Sequence, residues 1–380
     1  MSSSSSGEQT VTTYDLIVRG AEEAIRVQEQ DGSFPPGRNY SYDEKSTPVR
    51  TTTQWLRTLA KAYDITSEHR FERAANDAVD FLLTPEFRPE GATYHCRDVA
   101  GKDSCNGLVG QASVIRALSF AANSLGRNDA QRRAVELFDL HPFDDDLGLW
   151  EIVEIDGTRL SFDRTLNHQL LFAGAAARIR NESPEVRERV EVLLDRLEAN
   201  MENRSNGLIR HYVHPPIGTV LKTVVKTSRH RVLLRNEVAH HYYTCSQRRL
   251  RKERGYQTVN LAGLVEIHKA FPSHPFWESE QFQNALGFVH QHEKELLRGV
   301  QTKHGDALPG VSMAKIYREF EDTTESTLAA LVAEEVSEDP TVGRTPFESL
   351  DVDEETAAAL VCELVDLPDL QLHTSRPDPG

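Results

Sequence analysis

No stretch of this 380-residue chain approaches the roughly 20 consecutive apolar residues that a membrane-spanning helix needs. The opening segment, Met1 to Thr10, is a serine run with neither a basic nor an apolar block. That excludes a secretory signal and reads as a disordered leader, so a cytoplasmic protein is expected. Cysteine is scarce: Cys96, Cys105, Cys245 and Cys362 are scattered with no CxxC pair. Neither a disulfide framework nor a zinc site is indicated, and buried thiols are the simplest reading. Aromatic residues make up 7% of the chain, too few to line the deep cavity of a prenyl-lipid enzyme. Strand patterning is lacking too, apart from Leu149 to Ile155 and Val220 to Val225, which suit short hairpins at loops.

What the chain does have is helical periodicity with a long repeat. A Gly turn followed by an apolar or aromatic residue occurs at Gly32-Ser33-Phe34, Gly91-Ala92-Thr93-Tyr94, Gly148-Leu149-Trp150 and Gly207-Leu208-Ile209, and more weakly at Gly305-Asp306-Ala307. Each turn follows one helical pattern and precedes another: Phe71, Ala75, Ala78 and Leu82 come before Gly91, and Leu108, Ala112, Ile115, Leu118 and Ala122 come after it. The unit is a helical hairpin of about 57 to 60 residues, giving five clear copies and an acidic, weaker sixth from Asp351 to Leu364. Such hairpins either stack into an open solenoid or close into a ring. The polar loops favour the ring. The start of each second helix carries side chains suited to hydrogen-bonding sugars, among them Gln54 with Trp55, Asn106, Asn167 with His168, and Asn260. In a ring these helix starts converge at one mouth, where Trp55 and Trp150 could stack on a sugar, although core packing is the commoner role of tryptophan.

On that period, on Gln28-Glu29-Gln30-Asp31-Gly32-Ser33-Phe34 at the end of a first helix, and on Gly148-Leu149-Trp150-Glu151, the chain resembles the (α/α) toroid carbohydrate enzymes over roughly residues 12 to 335. That group includes glycoside hydrolases, unsaturated-glucuronyl hydrolases, glucuronyl C5-epimerases and sugar 2-epimerases. The resemblance therefore implies an all-α fold of the (α/α)6 toroid type and a sugar substrate, without selecting one reaction. The whole chain is also similar to a family of proteins encoded within the N-glycosylation gene clusters of salt-loving archaea. That similarity implies processing of a hexuronic-acid-containing glycan on a dolichol phosphate carrier. The composition agrees: 59 acidic residues outnumber 43 basic ones for a net charge of −16, with Arg well ahead of Lys, as expected of an acidic surface that serves solubility. The expected organisation is a disordered leader over 1–10, one toroid domain over 11–366 with a basic insert at about 210–256, and a disordered tail over 367–380.

The insert stands apart. Between Arg210 and Arg254, eleven Lys/Arg face two acids, Glu237 and Glu253, and the opposed local field suits an anionic ligand. Epimerising a uronic acid needs a base to remove the proton beside the carboxylate, an acid to return one on the opposite face, and cations to steady the enolate. Those residue types are concentrated here. Arg235 and Arg248 would bind the anion, and His240, Tyr242 and Tyr243 would contact the sugar. Glu237 and His241, four apart on a helix, would move protons, with His168 supplying the opposing group. A hydrolase would need paired carboxylates instead, for which Glu151 and Asp163 are the candidates, although Asp163 equally suits a helix cap.

No cofactor is expected, and no metal: adjacent His240 and His241 point in different directions on a helix, and no third ligand completes a set. Nucleic acid is disfavoured by the acidic remainder and the lack of a reading module. Basic runs such as Arg248 to Arg254 attract phosphate groups, so the expected partner is an anionic sugar or lipid-linked glycan, with peripheral membrane contact through the insert. Sugar epimerisation or isomerisation is the first expectation, glycosidic hydrolysis the second, and a non-catalytic glycan-binding or scaffold protein the third.

Overall fold

The computed structural model describes residues 9–38, 44–226, 246–297, 306–337, 343–347 and 353–374. Outer helices α1 (Thr13–Val27), α3 (His69–Leu83), α5 (Asn128–Asp139) and α7 (Pro184–Asn200) alternate with inner helices α2 (Pro48–Thr66), α4 (Gly107–Leu125) and α6 (Leu166–Arg178). Two short helices of the insert follow, α8 (Ile217–Lys226) and α9 (Gln247–Gly255). The alternation resumes with inner α10 (Gln257–Ala270), outer α11 (Glu280–Leu297), inner α12 (Pro309–Phe320) and outer α13 (Glu325–Ala333). It ends on a sixth inner element, α14 (Glu354–Ala359) running into a 3-10 helix, Leu360–Asp366.

Inner elements pack on one another in order, and the 3-10 helix touches α12 on one side and α2 on the other. The ring is closed. Inner α4 buries Leu108, Ala112, Val114, Ile115, Ala117 and Ala121 around most of its circumference, as a helix surrounded by helices must. Outer α3 buries one stripe, Phe71, Ala75, Ala78 and Leu82, and leaves the rest polar.

The Gly turns explain the period. At Gly32 φ is +87°, and a Cβ would lie 2.1 Å from the Asp77 carbonyl oxygen on α3; at Gly207 φ is +89°, and a Cβ would lie 2.2 Å from the Asn284 carbonyl oxygen on α11. These two turns tuck against the outer helix of the next hairpin, where only glycine tolerates both the left-handed backbone and the gap. Gly343 also has a left-handed backbone, φ +88°, but no outer helix lies against it among the described residues.

A side chain from the inner helix then grips the residue after the turn. Gln111 Oε1 accepts from Tyr94 N–H at 2.9 Å while its Nε2 donates to Tyr94 O at 3.0 Å. Gln169 does the same for Trp150 at 3.1 and 3.0 Å. Gln257 accepts from Ile209 N–H at 2.9 Å, and Thr52 Oγ1 from Phe34 N–H at 3.2 Å.

Three local expectations need comment. Strand β3 (Leu149–Val153) does form an antiparallel hairpin with β4 (Arg159–Phe162), with β2 (Phe143–Asp144) on its other edge. Val220 to Val225, expected as a hairpin, is instead helical within α8, because Val220 and Thr223 bury at helical spacing against the ring. The terminal segments expected to be disordered are in part ordered. Strand β1 (Gln9–Thr12) pairs antiparallel with β5 (Gln371–Thr374) in the register Gln9 to Thr374 through Thr12 to Gln371. Buried Val11, Leu370 and Leu372 anchor that ribbon, and Thr13 Oγ1 donates to Pro368 O at 2.7 Å. Cys96, Cys105 and Cys362 are buried free thiols. Among the described residues no helix is long and apolar enough to cross a membrane.

Candidate functional site

The ring encloses a cavity of about 480 Å³. Inner helices face it with side chains three or four apart: Gln54 and Arg57 on α2, Ser113 and Arg116 on α4, Ser312 and Lys315 on α12. The 3-10 helix has three residues per turn, so Leu360, Glu363 and Asp366 stand in one column on the cavity wall. Residues of the first helical turns form the mouth, and those one or two turns deeper form the floor.

At the mouth, His168 Nδ1 lies 2.8 Å from Asp163 Oδ2. Asp163 is buried and also accepts from Thr165 N–H at 3.1 Å and Leu108 N–H at 3.3 Å, which ties the start of α6 to the start of α4. Burial opposes its ionised form, but His168 and those N–H groups outweigh burial and hold the carboxyl below its ordinary range. With Nδ1 engaged, Nε2 is the ring nitrogen available to the cavity.

Two amide oxygens of cavity-lining residues, Gln54 Oε1 on α2 and Asn167 Oδ1 on α6, are buried without a hydrogen-bond partner among the described residues. Asp306 lines the wall before α12. It accepts from Thr258 Oγ1 at 2.7 Å and Leu308 N–H at 3.1 Å, yet burial dominates and pushes its pKa up, toward the neutral acid. His211 and Tyr256 complete this side with ring centroids 5.2 Å apart.

The floor is an ion-pair network. Arg57 lies 3.4 Å from Glu363 and 3.3 Å from Asp366, Arg178 lies 2.8 Å from Asp366 and 2.5 Å from Glu266, and Lys315 lies 2.8 Å from Glu363. Burial works against all three carboxylates. For Glu363 it is outweighed chiefly by Lys315 and Arg57, and for Asp366 by Arg178 and Arg57, so both are held well below the usual carboxylate range.

Of the residues singled out from sequence, Gln54, Asn106, Asn167 and His168 line the cavity, with Asp163 directly behind His168. Others lie elsewhere, and the reason is packing. Trp150 is fully buried with ring centroids 4.6 Å from Phe143 and 5.3 Å from Phe172, and Trp55 packs on Phe34 at 5.9 Å. Neither tryptophan offers a face to a sugar. Glu151 is buried in β3 and bound to Arg159 at 2.9 Å, away from the cavity. Asn260 is buried outside the cavity wall, and Arg248 is an exposed residue of α9. Arg235, Glu237, His240, His241, Tyr242 and Tyr243 lie outside the described residues. Sequence reasoning missed Arg57, Arg116, His211 and Asp306. For Arg116 a signal existed: it is the one charged residue in α4, among small and apolar neighbours.

Among the described residues, Asp103, Cys105 and Glu154 group their ligand atoms within 4.8 Å, but their chemistry does not suit a metal. Glu154 accepts from the N–H groups of Ser104, Cys105 and Ile155, and Asp103 from Gly107 N–H and Arg97. Burial, then Asp103 and Glu154, raise the Cys105 pKa and keep the thiol protonated. The three residues clamp a loop.

The closed ring of six hairpins is that of known sugar enzymes. An unsaturated glucuronyl hydrolase specific for heparin matches with TM-score 0.59 at 12% identity, covering 93% of this chain and 95% of that one. A cellobiose 2-epimerase from Bacillus thermoamylovorans B4167 matches with TM-score 0.61 at 11% identity, covering 92% and 98%. Identity this low carries the fold alone, which is the (α/α)6 toroid. No protein-family profile matches the chain. In sequence, it is 42% identical over 279 residues to archaeal glycosylation protein Q of Haloferax volcanii, spanning 72% of this chain and 75% of that protein. The chain therefore belongs to the family of archaeal glycosylation protein Q.

Proposed function

We propose that this protein is a cytoplasmic sugar epimerase or isomerase of archaeal N-glycan assembly, acting on a hexuronic-acid-containing, lipid-linked glycan. The carrying observation is the Asp163–His168 pair at the cavity mouth. Asp163 fixes the proton on Nδ1, so Nε2 carries a lone pair that can accept a proton from carbon. The electron pair left behind moves onto the adjacent carbonyl or carboxyl oxygen as an enolate. Asp306, kept toward its neutral form by burial, returns a proton to carbon from another side of the ring. Gln54 and Asn167, with unpartnered amide oxygens, accept sugar hydroxyls. The named role of the Haloferax relative in glycosylation supports the pathway, and the hydrolase and epimerase neighbours suit a sugar substrate.

Hydrolysis is the second reading, on one observation: a neutral Asp306 could protonate a glycosidic oxygen. It ranks behind because the floor carboxylates are ion-paired and Asp163 is engaged by His168. The lipid-linked form of the substrate is supported by α8, where Ile217, Leu221 and Val225 are exposed at four-residue spacing, an apolar face suited to a membrane surface.

The test is incubation of purified protein with the lipid-linked glycan in deuterated water. Epimerisation incorporates deuterium at the inverted carbon, and His168→Asn abolishes it; a new reducing end without deuterium establishes hydrolysis. A deletion strain whose glycans keep their uronic acid identity and length would sink both readings.

A further inference from the structure

The cavity floor carries a cation without a carboxylate partner. Three carboxylates, Glu266, Glu363 and Asp366, face Arg57, Arg178, Lys315 and Lys269 in ion pairs of 2.5 to 3.4 Å. Arg116 is a further cation and has no such partner. Its Nε is buried without a hydrogen-bond acceptor, and among the described residues no carboxylate comes within ion-pair distance of the guanidinium. It sits three turns into α4, deep in the molecule, and the surface it retains is cavity wall. Burial, followed by the neighbouring Arg57, draws its pKa down, so the charge is held there against its own solvation. A ring that needed only to close would place an apolar residue at this position.

We propose that Arg116 anchors the carboxylate of a terminal hexuronic acid residue, which enters the cavity carboxylate-first. The proposal rests on the reading of function above and adds the anchoring residue and the direction of entry. A planar guanidinium matches a carboxylate with two parallel hydrogen bonds. A single unpaired guanidinium matches a monoanion better than a phosphate. The ion pairs close the floor, so the remaining sugars and the carrier stay on the mouth side. An acidic residue in the middle of a chain cannot reach Arg116.

Binding without turnover tests this. Methyl glucuronide, methyl glucoside and glucose 6-phosphate are titrated calorimetrically into the purified protein and into its Arg116→Gln and Arg116→Lys variants. The expected result is glucuronide binding about tenfold tighter than glucoside or better. Arg116→Gln loses that preference with glucoside affinity unchanged, and Arg116→Lys loses part of it. Because Arg116→Gln removes no ion pair, it is also expected to melt at the parent temperature or above. No glucuronide binding, equal affinities for glucuronide and glucoside, tighter binding of glucose 6-phosphate, or a lower melting temperature for Arg116→Gln would each overturn the proposal. The last outcome would make Arg116 a structural charge. Failure of the epimerase reading is separable, since His168→Asn removes deuterium exchange but leaves the glucuronide preference in place.

Discussion

Mouth and floor of the cavity are built from the same six inner elements, yet they use charge in opposite ways. At the mouth, helix starts present His168 held by Asp163 and the amides of Gln54 and Asn167, whose oxygens have no hydrogen-bond partner among the described residues. On the floor every carboxylate is tied to cations, and the ties run to particular places: Glu363 and Asp366 of the short 3-10 helix join Arg57 on α2, Arg178 on α6 and Lys315 on α12. The sixth inner element is held in the ring both by buried apolar side chains, among them Leu360, Val361 and Leu364, and by these ion pairs.

Substitutions can break that contrast. The largest expected effect is at the mouth: His168→Asn should slow deuterium exchange by about 10²- to 10⁴-fold while leaving the urea midpoint almost unchanged. Asp366→Asn is the converse. It leaves Arg178 and Arg57 under-compensated in a buried setting and should cost about 3–5 kcal/mol in urea unfolding, with exchange retained where the protein is still folded. A stability loss from His168→Asn as large as that from Asp366→Asn would abolish the distinction.

Acid sharpens it further. His141, buried beside Phe172 behind the mouth, has its pKa lowered to about 4 by burial. A folded-state value below the unfolded one means that the unfolded chain takes up the proton first. Stability is thus full above about pH 6.5 and falls by about 3 kcal/mol as the pH drops toward 4. His141→Gln should remove that slope. The floor carboxylates, also depressed, lose their contribution only below about pH 4, so unfolding curves taken against pH should show two separate declines. The smallest effect is expected outside both regions: Arg248→Ala, on the exposed face of α9, should change stability by no more than about 0.5 kcal/mol.

The period was legible in the sequence because its cause is local: a turn glycine with positive φ recurs at Gly32, Gly91, Gly148 and Gly207, and three of the four pack against the next outer helix. The sixth copy was faint because a 3-10 helix has no 3.6-residue pattern to read. The β1–β5 pairing was invisible, since nothing local links residues about 360 apart. Within the cavity, Gln54, Asn106, Asn167 and His168 could be picked out because polar residues near the starts of inner helices converge in any ring. Trp150 and Glu151 were misjudged for the same reason that their turn is regular: Gln169 draws the turn inward and Arg159 takes up the acid. Arg116 escaped notice because it falls outside the apolar stripe that identified α4. The charged insert drew attention by composition, and its central stretch, 227–245, lies outside the described residues.

The pairing of β1 with β5 has one further consequence. An open stack of helical hairpins unravels from its ends, because each terminal unit has a single neighbour. Here the first and sixth hairpins are fastened to each other by a shared ribbon, so the ring has no loose end from which fraying can start. Hydrogen exchange should accordingly protect the amides of α1 and of the 3-10 helix to a similar depth as those of α4 and α6, even though they lie at opposite extremes of the chain.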